Sequence, residues 1–127
     1  MLFRSPQNAE ELELLRVLWD KEPATVREIC DELNRERAFG YTTVLKLLQI
    51  MTEKGLVNRD ETQRPQIYRA RYAREHTQRQ LLHDLVQRAF GGSVKVLVLQ
   101  ALASRKSSPE ELEEIEKLLD RMEGRTK

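Results

Sequence analysis

Four polar side chains at helical spacing, Thr42, Thr43, Lys46 and Gln49, form the part of this chain best suited to reading another molecule. Steps of three and four residues place them on one face of a helix. Hydroxyls, an ammonium and a carboxamide supply the donors and acceptors that match base edges in a DNA major groove. The surrounding stretch from Gly40 to Tyr72 also carries Tyr41, Arg59, Arg64 and Arg69, groups suited to phosphate oxygens. A short helix with a polar, threonine-rich start and a basic hairpin behind it fits a groove of double-stranded DNA and the flanking backbone.

Other chemistry finds little support. His76 and His83 share a helix face but lie two turns apart, about 10 Å, too far for one metal held by both. Cys30 falls within an apolar helix face and reads as a buried structural thiol. Ser93, after Gly91-Gly92, is accounted for as a helix cap, and Glu110, Glu111, Glu113, Glu114 and Glu116 as a solvated helix face. There is no Ser/His/Asp set, glycine-rich phosphate loop or Cys-x-x-Cys pair. The expectation is a protein without catalytic residues, metal or cofactor.

Charge supports the nucleic-acid reading by its distribution. The 127 residues carry a net charge of only +1. Residues 1–34 hold four basic and eight acidic groups, a balance of −4, whereas residues 35–71 hold eight and four, a balance of +4. The positive block coincides with the polar helix and its hairpin, as a phosphate-facing surface requires. A hydrophobic share of 39% and a charged share of 34% suit a soluble, helix-rich protein. No apolar run reaches the ~18–20 residues of a membrane span. The first eight residues lack the hydrophobic stretch of a signal peptide, and a single cysteine forms no internal disulfide, so a cytoplasmic protein is expected.

The elements that must position these residues follow from the hydrophobic pattern. A first helix, about 9–21, is capped by Asn8 with Glu11 completing a capping box. Its stripe is Leu12, Leu15 and Trp19, widened by Leu14 and Leu18, and Pro23 breaks it. A second box, Thr25 with Glu28, starts a helix burying Val26, Ile29, Cys30 and Leu33. Phe39 plugs the junction before Gly40, and a third helix takes Val44, Leu48 and Met51 inward with Leu47 at the edge. Gly55 closes it in a left-handed turn. Leu56 to Asp60 then pairs with Gln66 to Tyr72 across a turn tipped by Arg64 and Pro65. Tyr68, Ala70 and Tyr72 are expected on one face and Ile67, Arg69 and Arg71 on the other.

After Tyr72 the chain reads as helix only. One helix from about Arg74 to Phe90 ends at Gly91-Gly92, a second follows Ser93, and a third begins at Ser108-Pro109-Glu110-Glu111. The run from Val94 to Leu102 is apolar nearly all round, which calls for burial on more than one side. These helices have too little chain to enclose it, so a second copy is expected to cover it. Leu81, Leu85, Phe90, Val94, Leu97, Val98, Leu102, Leu112, Ile115 and Leu119 are the candidate homodimer contacts. The fold expected is mainly α: a winged helix-turn-helix of three helices and a two-stranded wing over 1–72, then a three-helix dimerisation region over 73–127.

The order of Val-Leu-Trp at 17–19, Thr-Val-x-x-Leu-Leu-x-x-Met-x-x-Lys-Gly at 43–55, Phe-Gly-Gly-Ser at 90–93 and Leu-x-x-Ile-x-x-Leu-Leu ending at Leu119 resembles the penicillinase-repressor (BlaI/MecI) family of transcriptional repressors. The resemblance implies a homodimer on palindromic operator DNA, released when a membrane sensor-protease pathway leads to a cut in the dimerisation region. Members cleaved in that way carry Asn–Phe at the bond, where this chain has Gln100–Ala101. The Cys-x-Cys motif of the copper-responsive members is lacking. Leu45 stands where related repressors tend to carry a basic residue, which implies a different operator read in the same docking mode. Two other readings remain: a winged-helix module that binds protein through Leu45, Leu47 and Ile50, and a metal- or ligand-responsive repressor using His76 and His83.

Overall fold

The computed structural model describes residues 8–104 and 106–124; residues 1–7 and 125–127, read above for their sequence, lie outside them. The chain forms two compact units, 1–83 and 84–127. In the first, α1 (Ala9–Lys21), β1 (Ala24–Thr25), α2 (Val26–Leu33), α3 (Tyr41–Lys54), β2 (Val57–Asp60) and β3 (Ile67–Ala70) are followed by α4 (Arg74–Ala89), within which the division falls. The second continues with α5 (Val94–Ser104) and α6 (Pro109–Gly124).

Local chemistry accounts for the helix limits. The Asn8 side chain accepts from the Glu11 N–H at 2.9 Å. At α2, Thr25 Oγ1 accepts from Glu28 N–H at 3.2 Å and Glu28 Oε1 accepts from Thr25 N–H at 2.8 Å, the expected reciprocal box. Gly55 ends α3 at φ 80°, a left-handed conformation costly to any residue with a Cβ.

The core lies where α1, α2, α3 and the sheet meet. Leu14, Leu15 and Leu18 from α1, Ile29, Cys30 and Leu33 from α2, and Val44, Leu47, Leu48 and Met51 from α3 form one cluster with Phe39, Leu56, Val57 and Tyr68. Each fully buried leucine, isoleucine or methionine contributes roughly 1.5–3 kcal/mol of transfer free energy. The stripe of α1 is rotated from the expected one. Leu14 and Leu18, one turn apart, are its centre, and Leu12 and Trp19 are half-buried at its edges. Trp19 stays at the edge with its Nε1–H donating to the Tyr72 carbonyl at 3.0 Å, which satisfies the indole.

The wing has three strands rather than two. β1 pairs antiparallel with β3, Ala24 opposite Tyr68 and Thr25 opposite Ile67, giving the order β1-β3-β2. A two-residue strand has no periodicity to detect. Its presence makes β3 the central strand, and Ile67, expected on the outer face with Arg69, is buried along with Tyr68.

A carboxylate lies deep in this unit. Glu11 Oε2 meets Lys54 Nζ at 2.7 Å, with only 2% of the Glu11 side chain exposed. The pair joins an acid in the first turn of α1 to a base in the last turn of α3, so each charge also interacts favourably with its own helix dipole.

In the second unit, Gly91 (φ 57°) and Gly92 (φ 83°) turn the chain out of α4, with Gly92 N–H donating to Val86 O at 2.9 Å. Ser93 Oγ caps α5 through Val96 N–H at 3.1 Å. Ser108 and Glu111 cap α6 reciprocally at 3.1 and 3.0 Å. Neither α5 nor α6 has a buried residue.

Replacing Lys54 by Met takes the Lys54 ammonium from the buried Glu11 carboxylate. The variant is expected to lose about 3 kcal/mol in urea denaturation, near the low end for a broken buried pair because Lys54 is partly exposed. The double variant with Glu11→Gln should lose less; equal losses would contradict the pairing.

Candidate nucleic-acid interface

The turn from α2 into α3 sets how the polar helix face is presented, and Asn34 holds it. Its Oδ1 accepts from Phe39 N–H at 2.8 Å. Its Nδ2 donates to Cys30 O at 2.7 Å and to Phe39 O at 2.9 Å. The amide thus locks the loop against the end of α2 and drops the Phe39 ring into the core, with the Arg37 guanidinium 4.8 Å from the ring centroid. Cys30 sits buried beneath this turn.

With Val44, Leu47, Leu48 and Met51 inward, α3 turns Tyr41, Thr42, Thr43, Lys46 and Gln49 to solvent, as expected. Leu45 and Ile50 are exposed on opposite flanks of that face, and Leu47 is in the core, so the three do not make one apolar patch. The start of α3 is unlike that of α1, α2 and α6. Gly40 provides no side-chain cap and there is no acid in the first turn. The positive end of the helix dipole and its free N–H groups therefore face outward, the arrangement that attracts anions.

The wing brings some of the expected cations together and separates others. The register sets Asn58 opposite Arg69 and Arg59 opposite Tyr68, so Arg59 and Arg69 lie on opposite faces of the hairpin. Arg59 Nη2 is 3.5 Å from Glu61 Oε2. Thr62 donates its hydroxyl at 2.6 Å and its N–H at 2.9 Å to Asp60 Oδ1, holding that carboxyl below the usual range, with a smaller pull from Arg69. Asp60 thereby stiffens the turn that carries Arg64, which is exposed at the tip.

One cation was not expected here. Arg27, in the first turn of α2, lies over the Tyr41 ring at 5.6 Å. It borders a cleft of about 500 Å³ shared with Tyr41, Leu45, Gln63, Arg64 and Pro65. The available signal was its position: a base in a helix's first turn opposes the dipole and gains nothing for the helix itself.

Ion pairing divides the unit by sides. Lys21 and Arg35 both bind Glu32, holding its carboxyl below the usual range, and Arg37 binds Glu13 at 2.7 Å. Lys54 binds Glu11, and Arg74 binds Asp20. Arg27, Lys46, Arg64 and Arg69 form no salt bridge among the described residues. Away from this surface, His76 stacks on Tyr72 with ring centroids 4.8 Å apart.

Comparison with known proteins agrees with this architecture. Residues 8–121 match the penicillinase repressor family. The chain belongs to that family. The penicillinase repressor of Bacillus licheniformis is 24% identical over 117 residues, spanning 92% of this chain and 91% of that one. The methicillin resistance regulatory protein MecI of Mammaliicoccus sciuri is 20% identical over 114 residues, 90% of this chain and 93% of its own. The solution structure of monomeric Bacillus licheniformis BlaI in complex with the blaP half-operator has a TM-score of 0.50 and 23% identity, covering 57% of this chain and 89% of that one. That likeness establishes the winged-helix fold.

Asn34→Ala removes the side-chain hydrogen bonds to Cys30 and Phe39 that hold the turn and takes the acceptor from the part-buried Phe39 N–H. A loss of about 2–3 kcal/mol is expected in urea denaturation. A change under ~0.5 kcal/mol, the range of an ordinary surface substitution, would show that the amide does not hold the turn.

Proposed function

We propose that this chain is a homodimeric repressor that binds a palindromic double-stranded operator through α3 and the wing. The observation that carries the reading is a set of cations with no salt bridge among the described residues, Arg27, Lys46 and Arg64 at the exposed side of α3 and Arg69 in the wing. Thr42, Thr43, Lys46 and Gln49 are the residues assigned to base edges. Tyr41, Arg59, Arg64 and Arg69 are assigned to phosphates, and Arg27 joins them. Arg59 exchanges an exposed, weak pairing with Glu61 for a phosphate at little cost.

The relatives' names support repression, and the solved relative was seen on a half-operator. One winged unit reads one half-site, so useful affinity needs a second. Val94, Val98, Leu99, Leu102, Leu112 and Leu119 are all exposed in the single chain. Apolar exposure on that scale is stabilised by association, and a second copy of the same helices is the occupant proposed. Leu85 is exposed with them, while Leu81, Phe90, Leu97 and Ile115 are half-buried. Release then follows from separating the two readers. Gln100 and Ala101 are both exposed within α5, and a cut between them by a sensor-protease pathway would divide the association region.

Two measurements test the reading. In a salt-titrated gel-shift assay the full chain should retard duplex DNA at low salt. Arg64→Ala should weaken binding to all sequences alike and make the log–log salt slope shallower by about one unit. Lys46→Ala should instead reduce discrimination between operator and random DNA. No retardation at low salt would sink the repressor and leave Leu45 and Ile50 to a protein partner. In sedimentation equilibrium the chain should be a dimer, and Leu99→Asp with Leu119→Asp a folded monomer; a monomeric wild type would contradict the homodimer.

A further inference from the structure

Leu45 is a large side chain of α3 that the core leaves out: it is 42% exposed, although Val44 beside it is fully buried. A lone exposed leucine needs no explanation. Its company does. Leu45 lies three residues after Thr42 and four before Gln49, so it borders both on the helix surface. It also lines the cleft bordered by Arg27 and Arg64, two cations with no carboxylate partner among the described residues.

An apolar floor between two such cations suits a polyanion that carries an apolar group at a fixed distance from its charges. Duplex DNA has one such group in the major groove, the C5-methyl of thymine. An RNA duplex fits poorly, since its major groove is deep and narrow and uracil lacks the methyl. We propose that Leu45 is a specificity-determining residue that packs on a thymine methyl in each half-site while Arg27 and Arg64 hold the adjoining backbone. The inference rests on the DNA-binding reading above and assigns part of its sequence preference to a contact without hydrogen bonds. Thr42, Lys46 and Gln49 select by donors and acceptors; Leu45 selects by the removal of one methyl group from water.

The test uses the full chain and duplexes enriched by it from a random-sequence library. The enriched duplex is resynthesised with deoxyuridine in place of thymidine at one position at a time, which removes only the methyl. For at least one position per half-site, the wild type should bind the deoxyuridine duplex about fourfold more weakly, the value of one buried methyl-sized group. Leu45→Ala, an exposed substitution whose folding is checked by thermal melting, should bind the two duplexes equally. Leu45→Met should restore the difference. If no thymine methyl distinguishes the wild type from Leu45→Ala, the inference is overturned while DNA binding stands. If no sequence is enriched at all, the DNA-binding reading fails and the inference with it.

Discussion

The molecule depends on one partition, that of α3 into a face the core claims and a face it leaves free. Val44, Leu47, Leu48 and Met51 are buried against α1, α2 and the sheet, and their spacing allows only one rotation of the helix about its axis. Thr42, Thr43, Lys46 and Gln49 are then outward, as is Tyr41 beneath the Arg27 guanidinium. The two ends of α3 are fixed by different chemistry. At the start, the Asn34 amide locks the turn that leads into it. At the finish, Lys54 reaches the buried Glu11, and Gly55 turns the chain directly into the wing. The residues proposed for recognition are thus exposed yet placed on a rigid element, the combination that makes binding geometry reproducible.

A chain with a net charge of +1 acquires a cationic surface by pairing most selectively. On the α1–α2 side, Glu32 takes Lys21 and Arg35, while Glu10 and Glu13 take Arg37. Those pairs are exposed and contribute little to stability. Their effect is to cancel charge where it would compete. Arg27, Lys46, Arg64 and Arg69 have no salt bridge among the described residues, and the uncapped start of α3 adds its own partial positive charge. Net charge is therefore a poor guide here, and the placement of carboxylates is a good one.

Much of this was legible in the residues. The inward and outward faces of α3, the capping box at Thr25, the helix start at Ser108, the left-handed Gly55 and the plug at Phe39 all follow from spacing or from chemistry confined to a few neighbours. What escaped depends on contacts distant along the chain. β1 is too short to have a pattern and exists because β3 runs beside it. Its presence buries Ile67 on the face assigned to solvent. Arg27 joins the candidate interface only because folding brings α2's first turn over Tyr41. Arg59 and Arg69, alike in sequence, are divided by strand register. No residue of α5 or α6 is fully buried, the observation on which the proposed second copy rests.

The central claim is that one surface, α3 with the wing and Arg27, meets DNA. It is tested most directly by amide chemical shifts of the isotopically labelled full chain during titration with duplex DNA. The account predicts perturbations concentrated at Arg27, at residues 41–50 and in the wing from Arg59 to Arg69, with the paired side at Lys21, Glu32 and Arg37 unmoved. Perturbations centred on the α1–α2 side, or none at saturating duplex, would contradict it.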